Sequence, residues 1–180
     1  MQLPVVFFVV VVLLSCFMRD GVQSKKDVVK LRWYMHDTPF NGPTPSSIPV
    51  TGYNASDFQN EIKKFLFGQI YVFDDPLTQG FSLTSATFGR AQGIYSFVSQ
   101  EEIVGSVSYT VSIRTGKYNG STLNILGAYP YSIPIKKYSI VGGTGKFILA
   151  RGLLKEKVVN LFGPLNASAT LSYHATVYLH

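Results

Sequence analysis

From Asp27 onward the chain alternates apolar and polar positions with a period of two, the signature of a half-buried β-strand. In "DVVKLRWYMHD", Val29, Leu31, Trp33 and Met35 fall on one side and Lys30, Arg32, Tyr34 and His36 on the other. The last segment, residues 167–180, sets Leu171, Tyr173, Ala175, Val177 and Leu179 against Ser172, His174, Thr176 and Tyr178. Between them, strands are predicted over 69–74, 81–97, 103–114, 121–127, 135–141 and 146–154. The turn signals "DDPLTQG", "TGKYNG", "GGTG" and "FGPLN" separate them. About eight strands with little helix call for a sandwich or a closed barrel. The barrel is the better expectation, because closure removes the sticky edges of so hydrophobic a sheet. Two stretches break the pattern. "HDTPFNGPTPSSIPVTG" carries four prolines and reads as neither helix nor central strand. "ASDFQNEIKKFLFG" reads equally as one helix, with Phe58, Ile62 and Phe65 at helical spacing after a Ser56 N-cap, or as extended chain.

The N-terminus is a separate piece. The apolar run from Leu3 to Leu14 is shorter than the roughly 20 residues that span a bilayer, and it fits the core of a secretory signal. Cleavage is expected after Ser24, which makes 1–24 a signal peptide and 25–180 one domain; an uncleaved anchor is the competing reading. The cut removes the only cysteine, Cys16, so core burial or oligomerisation must hold the secreted domain together. Sequons at Asn54, Asn119 and Asn166 are expected glycosylation sites in a secreted, extracellular chain. No stable membrane association is expected.

Charge changes the picture little at this level. The net charge of +6 is spread along the chain, without a dense basic run interleaved with aromatics, which argues against nucleic-acid binding. Attraction to acidic polysaccharide and a plain solvated surface both remain open.

Several motifs fail on inspection. "VGGTGKF" lacks a phosphate loop's first Gly, where Ile140 stands, and its Ser/Thr, where Phe147 stands. Gly142, Gly143 and Gly145 read instead as a tight connection between strands. No G-x-S-x-G elbow occurs, and the three histidines are far apart, so neither that hydrolase class nor a metal site is supported. Asp74 and Asp75 are neighbours on a predicted strand and so point to opposite faces. One carboxylate should face inward and one should start the turn before Pro76. An inward acid would be a candidate functional group with a perturbed pKa.

Five ordered blocks carry a family resemblance: "YMHD", "VFDDPLT", "GRAQGIY", "GKYNGSTLNILG" and "VGGTGKFILARG". Over essentially the whole mature chain they resemble the plant dirigent proteins. The resemblance implies an all-β, eight-stranded antiparallel barrel of the calycin type, similar to allene oxide cyclase, commonly a homotrimer, with a pocket at one mouth. It also implies a function without a cofactor. Phenoxy radicals of phenols such as coniferyl alcohol, made by a separate laccase or peroxidase, are steered into one stereochemical coupling. Asp37 and Tyr95 match the family's pocket acid and pocket tyrosine, and Asp74 or Asp75 its paired acids. Arg90, Tyr129 and Lys136 are the expected substrate-binding positions. Asp37 also reads as a strand-end cap, Tyr95 as core, and Lys136 or Lys137 as solvated surface. Pinoresinol-forming members have Asp where Tyr129 stands and Arg where Lys136 falls, which speaks against that product here. Two rival readings accompany this one. A cofactor-free cyclase would act through a quinone methide, as the similar pterocarpan-forming dirigents do. A non-catalytic wall-binding module would exploit the positive charge.

Overall fold

The computed structural model describes residues 27–38, 44–51, 66–162 and 168–179. Residues 1–24, the 55–65 part of the ambiguous helix, Asn54 and Asn166 lie outside them. Nine strands form one antiparallel sheet: β1 (Val28–Asp37), β2 (Ser47–Pro49), β3 (Ile70–Thr78), β4 (Thr87–Phe97), β5 (Val104–Ile113), β6 (Thr122–Pro130), β7 (Ile135–Thr144), β8 (Arg151–Phe162) and β9 (Ser168–Tyr178). They are ordered β1-β9-β8-β7-β6-β5-β4-β3-β2. A further pairing of β1 with β3, Tyr34 to Thr78 and Met35 to Leu77, closes eight of them into a barrel. The three-residue β2 lies on β3 outside that ring. The expected eight-stranded barrel is therefore the fold observed.

Closure turns the period-two pattern into an inside and an outside. Trp33, 1% exposed, sits stacked between Phe88 at 5.1 Å and Tyr173 at 5.7 Å. Val111, Leu123, Ile140, Leu154 and Val177 fill the same interior, and Phe147, from the β7–β8 connection, plugs one end. That end is the apolar floor. The opposite end, where β1, β4, β6 and β8 finish, is the mouth.

Three expectations need correction. The strand predicted to stop at Asp74 runs on to Thr78, so "DDPLT" is strand and not turn. Its inward alternation continues through Phe73, Asp75 and Leu77. Pro76 is tolerated because it falls between the β2 pairing at 71–73 and the β1 pairing at 77–78, where β3 needs no amide on that side. Second, β4 starts at Thr87 rather than 81. Third, Gly142 and Gly143 belong to β7; the connection is a 3₁₀ turn at Gly145–Phe147, and β8 starts at Arg151 rather than 146. A β-carbon on Gly143 would lie 2.1 Å from the Thr122 carbonyl, so this glycine permits close strand approach.

Gly93 has the same role inside the barrel, where a β-carbon would lie 2.3 Å from the Ser108 carbonyl and 2.4 Å from the Tyr109 β-carbon. Gly93→Ala is expected to lower the stability of the barrel by roughly 1–3 kcal/mol, the usual range for overpacking. A urea titration against the parent chain measures this.

Candidate active site

At the mouth the interior changes from apolar to polar. A cavity of about 190 Å³ opens there, with Asp37, Asp75 and Tyr95 on one wall and Tyr129, Lys136 and Glu156 on the other. The strand order makes these walls face each other, because β1, β3 and β4 are separated from β6, β7 and β8 by β9 on one side and β5 on the other.

On the first wall, β1 ends by delivering Asp37 to the mouth. The proline-rich segment then returns as β2, so that the buried Ser47 hydroxyl donates to Asp37 Oδ1 at 3.1 Å. Burial raises the Asp37 carboxyl to about 6; the Ser47 hydrogen bond opposes this and the Glu156 charge adds to it. Asp75 is 1% exposed, and its Oδ1 has no hydrogen-bond partner. Burial raises its carboxyl well above the usual range, and the nearby Asp37 charge pushes the same way. Tyr95 lies stacked on Tyr71 at 4.7 Å, and burial, then the Asp37 charge, drives its hydroxyl upward. Burial thus biases this wall towards its protonated forms.

The second wall is organised around Glu156. Its Oε1 accepts from Lys136 Nζ at 3.0 Å, and its Oε2 accepts from the hydroxyls of Tyr138 at 2.9 Å and Tyr173 at 2.6 Å. The register explains the convergence: Lys136 faces Glu156 across β7–β8, and Glu156 faces Tyr173 across β8–β9. The Lys136 ammonium also lies 4.7 Å from the Tyr129 ring centre and 5.1 Å from that of Tyr131, two π-faces that attract a cation.

The structure therefore gathers Asp37, Asp75, Tyr95, Tyr129 and Lys136 at one cavity. Asp74 and Arg90 are elsewhere. The Arg90 Nε donates to the Asp74 carboxylate and its Nη2 to the Asp74 carbonyl at 2.5 Å, an ion pair on the outer face. The solvated-surface reading of Lys136 is corrected, since only 7% of the residue is exposed. Lys137, next to it, takes the outward position. Sequence reasoning missed Glu156, Tyr138 and Tyr173. The signal was present: Leu154, Glu156 and Val158 share one face of an alternating strand, which places a carboxylate on an apolar face.

The family model of dirigent-like proteins matches residues 28–178. The chain belongs to the dirigent family. Dirigent protein 23 of Arabidopsis thaliana is 33% identical over 154 residues, covering 86% of this chain and 79% of that one. Pterocarpan synthase 1 of Glycyrrhiza echinata is 40% identical over 138 residues, covering 76% and 70%. A solved pterocarpan synthase dirigent protein superposes with a TM-score of 0.75 at 35% identity, over 86% of either chain. The cavity of this dirigent barrel thus sets two buried carboxyls of raised pKa on one side against an ammonium held by a carboxylate on the other.

Two stability measurements probe this arrangement. An acid whose pKa is raised by folding keeps its proton longer in the folded chain, so stability falls as pH rises above the unfolded value. For Asp37 the rise from 3.8 to about 6 corresponds to a loss of about 3 kcal/mol, complete above pH 6. Asp75→Asn is expected to melt several degrees above the parent at pH 8, the gap closing towards pH 4. Lys136→Met should lower stability by roughly 3–5 kcal/mol by stranding the buried Glu156, and adding Glu156→Gln should restore most of it. Denaturant titrations of the two variants measure this difference.

Proposed function

We propose that this dirigent barrel directs the stereochemistry of ring closure at a phenol-derived quinone methide, formed when a separate laccase or peroxidase couples phenoxy radicals such as those of coniferyl alcohol. The observation that carries this reading is two buried carboxyls, Asp37 and Asp75, both raised in pKa by burial, facing Lys136 across a cavity with aromatic walls. Radical coupling has almost no barrier, so the protein's contribution there is to hold two rings in one orientation. Tyr95 and Tyr129 supply faces for that. Closure is different, because it moves a proton. A side-chain hydroxyl attacks the methide carbon and loses its proton, while the quinone oxygen gains one and becomes a phenol. The sum is an isomerisation that needs no oxidant. Asp37 or Asp75 donates to the quinone oxygen, and the opposing ammonium of Lys136 stabilises charge on an oxygen at the far wall.

A second reading is favoured by the pterocarpan synthase relatives and by Glu156, a carboxylate inside the same cavity. A closed-shell phenolic alcohol would lose water with help from the acid wall. Its phenol gives up a proton to form the methide, and an internal phenol oxygen then adds. The net change is loss of one water, again with no cofactor. The absence of an acid at position 129 fits this reading better than pinoresinol formation.

The proposal includes a secreted chain, supported by the signal-like pattern of residues 1–24 and by the exposed sequon residue Asn119 between β5 and β6. It also includes a homotrimer, supported by the outward apolar residues Ile48, Val72, Ile94 and Leu126, which lie along one register row of the outer face.

The deciding experiment adds purified protein to coniferyl alcohol with a one-electron oxidase, and to a phenolic benzylic alcohol without one, with chiral chromatography of both products. An enantiomeric excess in the first arm, lost in Asp37→Asn and declining as pH rises through about 6, supports coupling control. Turnover in the second arm alone supports dehydration. A racemate in the first together with no turnover in the second overturns both.

A further inference from the structure

The strands that build the second wall carry a different pattern on their outer surface. One register row crosses four neighbouring strands: Lys137 on β7 faces Lys155 on β8, Lys155 faces His174 on β9, and His174 faces Arg32 on β1. All four are exposed. Lys157 on β8 and Lys30 on β1 flank the row, also exposed. Among the described residues no acid pairs with any of these basic side chains; the acids of these strands, Asp37 and Glu156, both line the interior cavity.

Like charges directly opposite one another weaken a sheet. Nothing in the packing of the barrel calls for basic side chains at successive outward positions. The row is also straight and regular, one basic side chain per strand, with neighbours roughly 4.8 Å apart across the sheet. That spacing is close to the length of one sugar ring in an extended chain. Ser139, Ser172 and Thr176, on the adjacent rows, present hydroxyls beside the cations. The row itself carries no apolar side chain to insert into lipid and no Phe, Tyr or Trp to stack a base.

We propose that the outer face of β7, β8, β9 and β1 binds an extended, carboxylate-bearing polysaccharide of the uronate class, laid along the Lys137–Lys155–His174–Arg32 row. The site is independent of the cavity, because the alternation that turns Lys136 and Glu156 inward turns Lys137 and Lys155 outward. The barrel would thus be held on an acidic polymer with its mouth free.

The test measures binding of the whole protein to polygalacturonate at several salt concentrations. The Lys137→Ser, Lys155→Ser, Arg32→Ser variant is compared with a control of equal net charge, Lys117→Ser, Arg114→Ser, Lys146→Ser, altered in the turns at the floor end. Exposed ion pairs are each worth roughly 1.5- to 5-fold, so the first variant should bind about tenfold more weakly and the control within about twofold of the parent. Binding should fall as salt rises. The first variant should melt no lower than the parent, since it removes repulsion, and polygalacturonate should raise the parent's melting temperature more than the variant's. Equal weakening in both variants would reduce the effect to net charge and overturn the proposal. So would equal binding to the fully methyl-esterified polymer, or tighter binding to anionic vesicles or to a single-stranded oligonucleotide at the same ionic strength.

Discussion

The barrel depends on a very short seam. Two residue pairs, Tyr34 with Thr78 and Met35 with Leu77, join β1 to β3, while β1 pairs with β9 along its whole length. The buried His36 strengthens the seam through a 2.8 Å hydrogen bond between its Nε2 and Thr78 Oγ1. The Thr78 hydroxyl donates to the Gly80 carbonyl at 2.7 Å, so His36 must be the donor of the first bond. Without this closure the sheet would have two free edges and no enclosed cavity. Every later feature follows from it, because closure makes alternate residues of each strand either interior or solvent-facing.

An enclosed interior sets strict terms for polar groups. A carboxyl taken out of water either keeps its proton or must be matched by donors. This barrel does both, on opposite walls of one cavity. Asp75 has one oxygen without a donor and is driven towards its neutral form, with Asp37 partly so. Glu156 receives three donors and stands as the anchor of a cation. The same physics that weakens the fold at neutral pH therefore prepares groups able to give or stabilise a proton. Tyr129 takes part by offering its ring to Lys136, so an aromatic face helps to place the ammonium.

Inner and outer faces alternate residue by residue along the same strands but answer to different constraints. Lys136, Glu156, Tyr173 and Trp33 form an interior register row, and Lys137, Lys155, His174 and Arg32 form the neighbouring exterior one. Water screens the outer charges, whereas the inner pair is fixed by its partners. A chemical site and a docking surface can therefore coexist within a few residues of each other without interference.

Much of this was legible in the chain. Period-two alternation announces the strands, their number and hydrophobicity call for closure, and the ordered blocks that resemble dirigent proteins point to the acid and tyrosine at the mouth. Alternation even assigns Asp74 and Asp75 to opposite faces, and the structure agrees. What a linear reading does not contain is which strand lies beside which. That is why "DDPLT" looked like a turn: Pro76 ends a strand only if its amide is needed, and the gap between β2 and β1 removes the need. It is also why Lys136 looked like surface. A lysine on an apolar face is unfavourable by itself, and only the pairing of β7 with β8 and β8 with β9 brings it a carboxylate and brings that carboxylate two hydroxyls. The sequence by itself determined the strands and their two faces, because side-chain alternation is local. The tertiary structure alone decided which buried charges meet, because cross-strand register joins residues far apart in the chain.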